Sequence, residues 1–212
     1  FKAHGDGPGD SAPTIQVGLR YSPEFSETRA DIQVSPILMT SEHRPASVHI
    51  DSEEFHFGLS AALQNAETSG TLTLRSTNPY EQPNLNYDYL SSESDRTRMR
   101  EAVRLGLRLA EQPMFSKLIS ERVNPTDEDL SSDERLDKWL LANAYTQHHS
   151  SGTCKMGPDE DPMAVVDQYC RVKGIAGLRV VDASVMPDVI RANTNATTIM
   201  IAEKVADWIN DY

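Results

Sequence analysis

Three short segments decide how this chain is read: HSSGT (149–153), GLRVVDASVMP (177–187) and NTNATTIMIAEKVADWI (193–209). The first puts one imidazole, His149, at the head of a Gly-Thr turn. The second reads as a short apolar strand over 178–182, of the kind buried on both faces, ending on the carboxylate of Asp182. The third carries Asn193 and Asn195 in a loop that opens straight into a helix over 195–210. Ile199, Ala202, Val205/Ala206 and Ile209 fall there at core spacing. A strand that delivers its end to a helix N-terminus collects backbone N–H groups and polar side chains around one point, which suits an electron-rich cofactor or an anion.

Upstream of these segments the flavour is different. Ile15, Val17 and Leu19 alternate with Gln16, Gly18 and Arg20, the pattern of a half-buried strand. Residues 31–39 (DIQVSPILM) form a second apolar stretch, with Pro36 expected at an edge or bulge. A polar loop spans 42–47. Phe55, Phe57, Leu59, Ala61 and Leu63 alternate over nine positions, and Leu72 and Leu74, beyond a Gly-containing turn, read as the antiparallel partner. Helix signals begin at Ser94 and run to Pro113, with Met99, Val103, Gly106/Leu107 and Ala110 on one face and Arg98, Arg100, Arg104 and Arg108 on the other. A second helix is expected from Ser131, with Glu134 completing a capping box, burying Leu136, Trp139, Leu140 and Ala144. Short strands over 165–167 and 171–176 follow. Consecutive strands without intervening helices, then helices, predict an α+β class: an antiparallel sheet carrying helices over 13–147, joined to a separate segment over 148–212. Residues 1–12, rich in Gly, Pro and Asp, read as a flexible start or a cleaved end.

Composition narrows the function. With 212 residues, 38% hydrophobic and 25% charged, the chain can bury a sizeable core. Its formal net charge of −12 opposes binding to a nucleic-acid backbone. No apolar run approaches the roughly 20 residues of a membrane span. Two cysteines point to a reducing compartment such as the cytoplasm.

Residue types then limit the chemistry. A lone histidine beside small residues is ordinarily structural, yet Ser150, Ser151 and Gly152 would let a substrate or planar cofactor approach the ring of His149 closely. Asn193 or Asn195 would ordinarily cap the last helix, and such a residue also faces whatever binds at the helix mouth. Asp182 could equally form a turn. His148, His149, Cys154 and Cys170 match no common zinc spacing. Ser184 lacks the G-x-S-x-G elbow of a hydrolase. Neither G-x-G-x-x-G nor a Walker loop occurs anywhere.

The order of HxxGT, LRVVDASVMP and NTNATTIMIAEKVADWI closely resembles the carboxy-terminal region of the glucose-methanol-choline (GMC) flavoprotein oxidoreductases. The likeness is dense over 149–209 and looser over 72–148. It implies the carboxy-terminal strand and helix of an incomplete, Rossmann-like FAD-binding domain beside an antiparallel-sheet substrate domain. It also implies residue roles. His149 matches the active-site histidine and Asn193 the second position of the pair. Asp182 and Ala183 match the strand end that lies against the flavin, and Thr194, Asn195 and Thr197 the helix mouth at the ring's pyrimidine end. The implied reaction is oxidation of a small alcohol, with proton abstraction at His149 and hydride transfer to N5 of FAD. The Rossmann fingerprint is missing, so the resemblance implies an amino-terminal partner chain that carries it. A second reading, from another class, is a non-catalytic structural or binding module that keeps the fold. A lyase on the same flavin scaffold is a third.

Overall fold

The computed structural model describes residues 1–3, 17–39 and 56–210. The expectations for Ile15, for the polar loop over 42–47 and for Phe55 lie outside these residues. The described chain forms two compact units, Phe1–Thr71 with Asn86–Tyr145, and Leu72–Leu85 with Thr146–Tyr212.

The first unit is built on a five-stranded antiparallel sheet. Its strands are β1 (Lys2–Ala3), β2 (Leu19–Tyr21), β3 (Ile32–Met39), β4 (His56–Leu63) and, later in the chain, β7 (Ile119–Glu121), in the order β2-β3-β4-β1-β7. The β3/β4 ladder is unbroken, from Ile32 opposite Leu63 to Met39 opposite His56. Pro36 therefore sits inside a regular strand. It is tolerated because, among the described residues, β2 pairs with β3 only as far as Val34, so no ladder partner is lost on that side. Residues 1–3, expected in a flexible start, instead fill the gap between β4 and β7 with pairing on both edges. The predicted burial of β2 fails too: Val17 is 63% and Leu19 39% exposed, and its Tyr21 is the residue that reaches the core.

Helix α1 (Glu93–Ala110) begins where Ser92 accepts the backbone N–H groups of Ser94 and Asp95, and Glu93 and Asp95 place negative charge in its first turn. Its Ala102 and Leu105 pack with Ile32 and Val34 of the sheet, and Leu59, Ala61 and Leu63 of β4 close the cluster. Four residues of a short helix, α2 (Pro113–Ser116), follow the break expected at Pro113. Helix α3 (Asp133–Asn143) packs Leu136 and Leu140 with Leu90, Met99 and Val103. Its cap is Ser132, which accepts the N–H of Arg135, one residue later than the expected Ser131/Glu134 box. Asp133 and Glu134 thereby fall in the first turn, where their charge complements the positive end of the helix dipole. Ala144 lies past the helix end and is exposed.

Arg98, Arg100, Arg104 and Arg108 of α1 do not share a solvent face. Arg104 and Arg108 are exposed, but Arg98 and Arg100 are 4% and 6% exposed. Arg98 bridges two buried carboxylates, Asp31 at 3.1 Å and Asp95 at 2.5 Å. Arg100 forks onto Asp137 of α3 and reaches Glu93. Hydrogen bonds from Arg100 and Arg96 pull the exposed Glu93 carboxyl down to about 2.

Among the described residues the expected hairpin between the 55–63 strand and Leu72/Leu74 does not form. Strand β5 (Thr71–Thr73) pairs with β6 (Asn84–Asn86) in a separate two-stranded sheet, while β4 is already paired on both edges. Gly70 makes this approach possible. A Cβ there would stand 1.9 Å from the Asn86 carbonyl oxygen and 2.8 Å from Tyr87 Cα. Both are backbone atoms that cannot swing aside. Gly70→Ala is expected to destabilise the protein by about 1–3 kcal/mol, as overpacking does, read as a lowered thermal midpoint. An unchanged midpoint would show that the two backbones are not held this close.

Candidate active site

All the candidate site residues belong to the second unit. Its core is Val166, Cys170, Val185 and Val205, flanked by Met156, Val180, Val181, Ile201 and Trp208. The apolar 178–182 segment supplies Val180 and Val181 to this cluster but is not a ladder strand. Its only pairing among the described residues is the single bridge Arg171–Arg179, and Leu178 is 46% exposed. The expected strands at 165–167 and 171–176 are likewise isolated bridges at Val166, Arg171 and Val172. A strand buried on both faces needs neighbours along both edges, and one bridge does not provide them.

The carboxy-terminal helix α4 runs Asn195–Asn210, the expected span. Its core-facing arc differs from the expected one. Val205 is buried with Ile201 and Trp208 beside it, an i, i+4, i+7 stripe, whereas Ile199 and Ile209 are each 53% exposed. Apolar residues ring the amino-terminal half of this helix, so the sequence pattern permits more than one buried arc.

The start of α4 organises the site. Helical geometry begins at Asn195, and the carbonyl of Thr194 accepts both the N–H and the hydroxyl of Thr198 at 2.9 Å. Thr194 therefore occupies the boundary position expected of an asparagine, which leaves Asn193 free. Its amide Nδ2 donates to His149 Nε2 at 2.7 Å, and Thr194 Oγ1 lies 3.3 Å from His149 Nδ1. Two consecutive residues at the helix mouth thus engage both nitrogens of one ring from 44 and 45 positions away.

The loop bearing His149 is shaped for this. His148 adopts a left-handed conformation (φ 62°), and its N–H is held by the Thr146 hydroxyl at 2.9 Å. Gly152, at φ 84°, makes a second turn that a side chain would strain. Past it the chain is laced to the core: Cys154 N–H donates to Ser184 O at 3.0 Å and Met156 N–H to Val185 O at 2.9 Å. Ser184 and Val185 lie in a 3-10 turn (Ala183–Val185) whose cap is Asp182, the Asp182 carboxylate accepting the Ser184 N–H at 2.8 Å. Turn formation is what the Asp182 side chain does here. Asp182 and Ala183 are thus tied to the histidine loop through backbone, whereas His149, Asn193 and Thr194 meet directly. Asn195 and Thr197 lie on the first turn of α4, where the helix supplies no acceptor for their N–H groups. The Thr194–His149 contact was not foreseeable locally, because a threonine before a helix ordinarily signals nothing beyond capping.

Among the described residues no His/Cys/Asp/Glu cluster could hold a metal ion, and both cysteines are free. Cys170 is buried, and burial pushes its thiol up, away from the reactive thiolate. No helix among the described residues is long and apolar enough to cross a membrane.

An imidazole and a carboxamide are thus paired at the mouth of a helix. Comparison with known proteins gives the chain a family. The GMC oxidoreductase family profile matches residues 66–202. The oxygen-dependent choline dehydrogenase of Vibrio vulnificus is 38% identical over 169 residues, covering 78% of this chain and 30% of the relative. That of Ectopseudomonas mendocina is 37% identical over 193 residues, 91% of this chain and 33% of the relative. Among solved structures, pyridoxine 4-oxidase from Mesorbium loti superposes with a TM-score of 0.75 at 25% identity, covering 87% of this chain and 35% of that one. Aspergillus oryzae formate oxidase, in a variant studied for FAD modification, gives 0.77 at 26% identity, covering 86% and 32%. The chain belongs to the GMC oxidoreductase family and corresponds to its carboxy-terminal portion. It spans about a third of the length of these relatives.

Proposed function

We propose that this chain is the carboxy-terminal portion of an FAD-dependent oxidoreductase that oxidises a small alcohol. The observation that carries the reading is the 2.7 Å contact between His149 Nε2 and Asn193 Nδ2. An amide nitrogen only donates, so Nε2 is the ring's lone-pair nitrogen, the form able to take a proton from a substrate hydroxyl. Asn193 cannot be a base, but its N–H can turn from the ring to an alkoxide oxygen as charge develops there. When bound, FAD supplies at N5 the acceptor for the hydrogen leaving the carbinol carbon. The donor set at the start of α4 fits such a cofactor. First-turn N–H groups at Asn195 and Thr197, with the positive end of the helix dipole, suit the electron-rich pyrimidine edge of an isoalloxazine. Asp182 and Ala183, on the turn laced to the histidine loop, are assigned to the same cofactor.

No G-x-G-x-x-G sequence is present in the 212 residues. We assign the ADP half of FAD to an amino-terminal portion carrying that fingerprint. In this assignment residues 148–212 complete the FAD-binding domain, and the five-stranded sheet with helices α1 to α3 forms part of the substrate domain. The test joins the chain to that amino-terminal portion and mixes the purified holoprotein anaerobically with small primary alcohols. Choline, named for the bacterial relatives, comes first. Bleaching of the flavin absorbance is the expected result. A protein that is colourless, or that stays oxidised with every alcohol tried, overturns the reading.

A further inference from the structure

We propose that Thr194 is a positioning residue that sets the tautomer and orientation of His149, an inference that rests on the alcohol-oxidation reading above. A neutral imidazole carries one N–H, on one nitrogen or the other, and only the unprotonated nitrogen can act as a base. Asn193 engages Nε2 with an N–H at 2.7 Å, which assigns the lone pair to Nε2 and the proton to Nδ1. The oxygen placed to accept that Nδ1–H is the hydroxyl of Thr194, 3.3 Å away.

The hydroxyl is held by the fold. The Thr194 carbonyl is tied twice to Thr198, through its N–H and its hydroxyl, at 2.9 Å each. Helix α4 is in turn anchored by the buried Val205. A rigid helix start therefore presents Asn193 and Thr194 as a two-pronged grip on one ring. The Nδ1 partner does what a carboxylate or carbonyl does behind many catalytic histidines: it fixes which nitrogen faces the substrate and keeps the ring from rotating. A hydroxyl does so without adding charge, so the ring is oriented while the protonated state gains no ion-pair stabilisation.

The test uses the intact flavoprotein with Thr194→Val, which keeps the shape and removes the hydroxyl, Thr194→Ala as a second removal, and Thr194→Ser, which restores it. Flavin reduction by substrate is expected to slow on the order of tenfold in the Val and Ala variants, the loss of one hydrogen bond, with little change in KM. The Ser variant should recover most of the rate. Histidine side-chain 15N NMR reads the tautomer independently of turnover. Wild type and Thr194→Ser should show a protonated Nδ1 and a bare Nε2 for residue 149, and Thr194→Val a mixture shifted toward Nε2–H. Unaltered nitrogen shifts in Thr194→Val overturn the proposal. So does a wild-type ring that carries its proton on Nε2, or a Ser variant as slow as Val. If His149→Ala proves fully active, the alcohol-oxidation reading falls, while the nitrogen shifts still decide whether Thr194 holds the ring.

Discussion

His149→Ala should lower the rate of substrate-driven flavin reduction by about 10²–10⁴-fold, the range lost when a positioned general base is removed, while the bound cofactor is retained. The two halves of this expectation come from different parts of the site. The proposed proton acceptor is a single atom, Nε2, which Asn193 Nδ2 meets at 2.7 Å while Thr194 Oγ1 lies at Nδ1. The groups assigned to the cofactor belong instead to the backbone at the start of α4 and to the Ala183–Val185 turn, and truncating an imidazole disturbs neither. Stopped-flow absorbance separates the two effects: the flavin spectrum reports occupancy and the bleaching rate reports proton removal. Reduction at the wild-type rate would remove His149 from the mechanism. Loss of the flavin spectrum would mean that the ring supports the cofactor and is not the base.

What the sequence shows of this protein depends on how local each feature is. The 56–63 alternation, the break at Pro113 and the limits of α4 are set by neighbouring residues, and all three occur where the pattern puts them. Strand pairing is not local. Nothing in a two-residue strand at Lys2–Ala3 advertises that it will lie between β4 and β7, and nothing in Leu72 and Leu74 reveals that β4 has no free edge left for β5. The arginines of α1 misled for the same reason. A charged residue reads as solvent-facing until its partner is known, and Asp31 stands 67 residues from Arg98 and Asp137 37 residues from Arg100. At the site, the types His and Asn pointed to ordinary structural roles. Their functional reading came from the order of several segments together, and the contact between them closes a 44-residue loop that no spacing rule describes.

The second large effect concerns the fold. Arg98→Ala is expected to destabilise the first unit by about 3–5 kcal/mol, the cost of breaking a buried ion pair from one side. Asp31 and Asp95 are 0% and 1% exposed, and the guanidinium is their shared counter-ion. Asp95 has other donors, the N–H groups of Glu67 and Thr68 and the Thr68 hydroxyl. Asp31 is poorer: Ser26 Oγ donates to its Oδ2 at 2.7 Å, and its Oδ1 has no partner among the described residues. Removing the cation therefore leaves two buried negative charges, one of them scarcely solvated by protein, at the junction of α1 with the start of β3. The damage comes from the stranded charges more than from the lost attraction. Arg98→Met with Asp31→Asn and Asp95→Asn should therefore recover much of the stability that Arg98→Ala loses. Chemical denaturation of the single and triple variants compares the two directly. A triple variant as unstable as Arg98→Ala would show that Arg98 works through packing and its bond to the Asn65 carbonyl, 2.9 Å away, and not by neutralising the two aspartates.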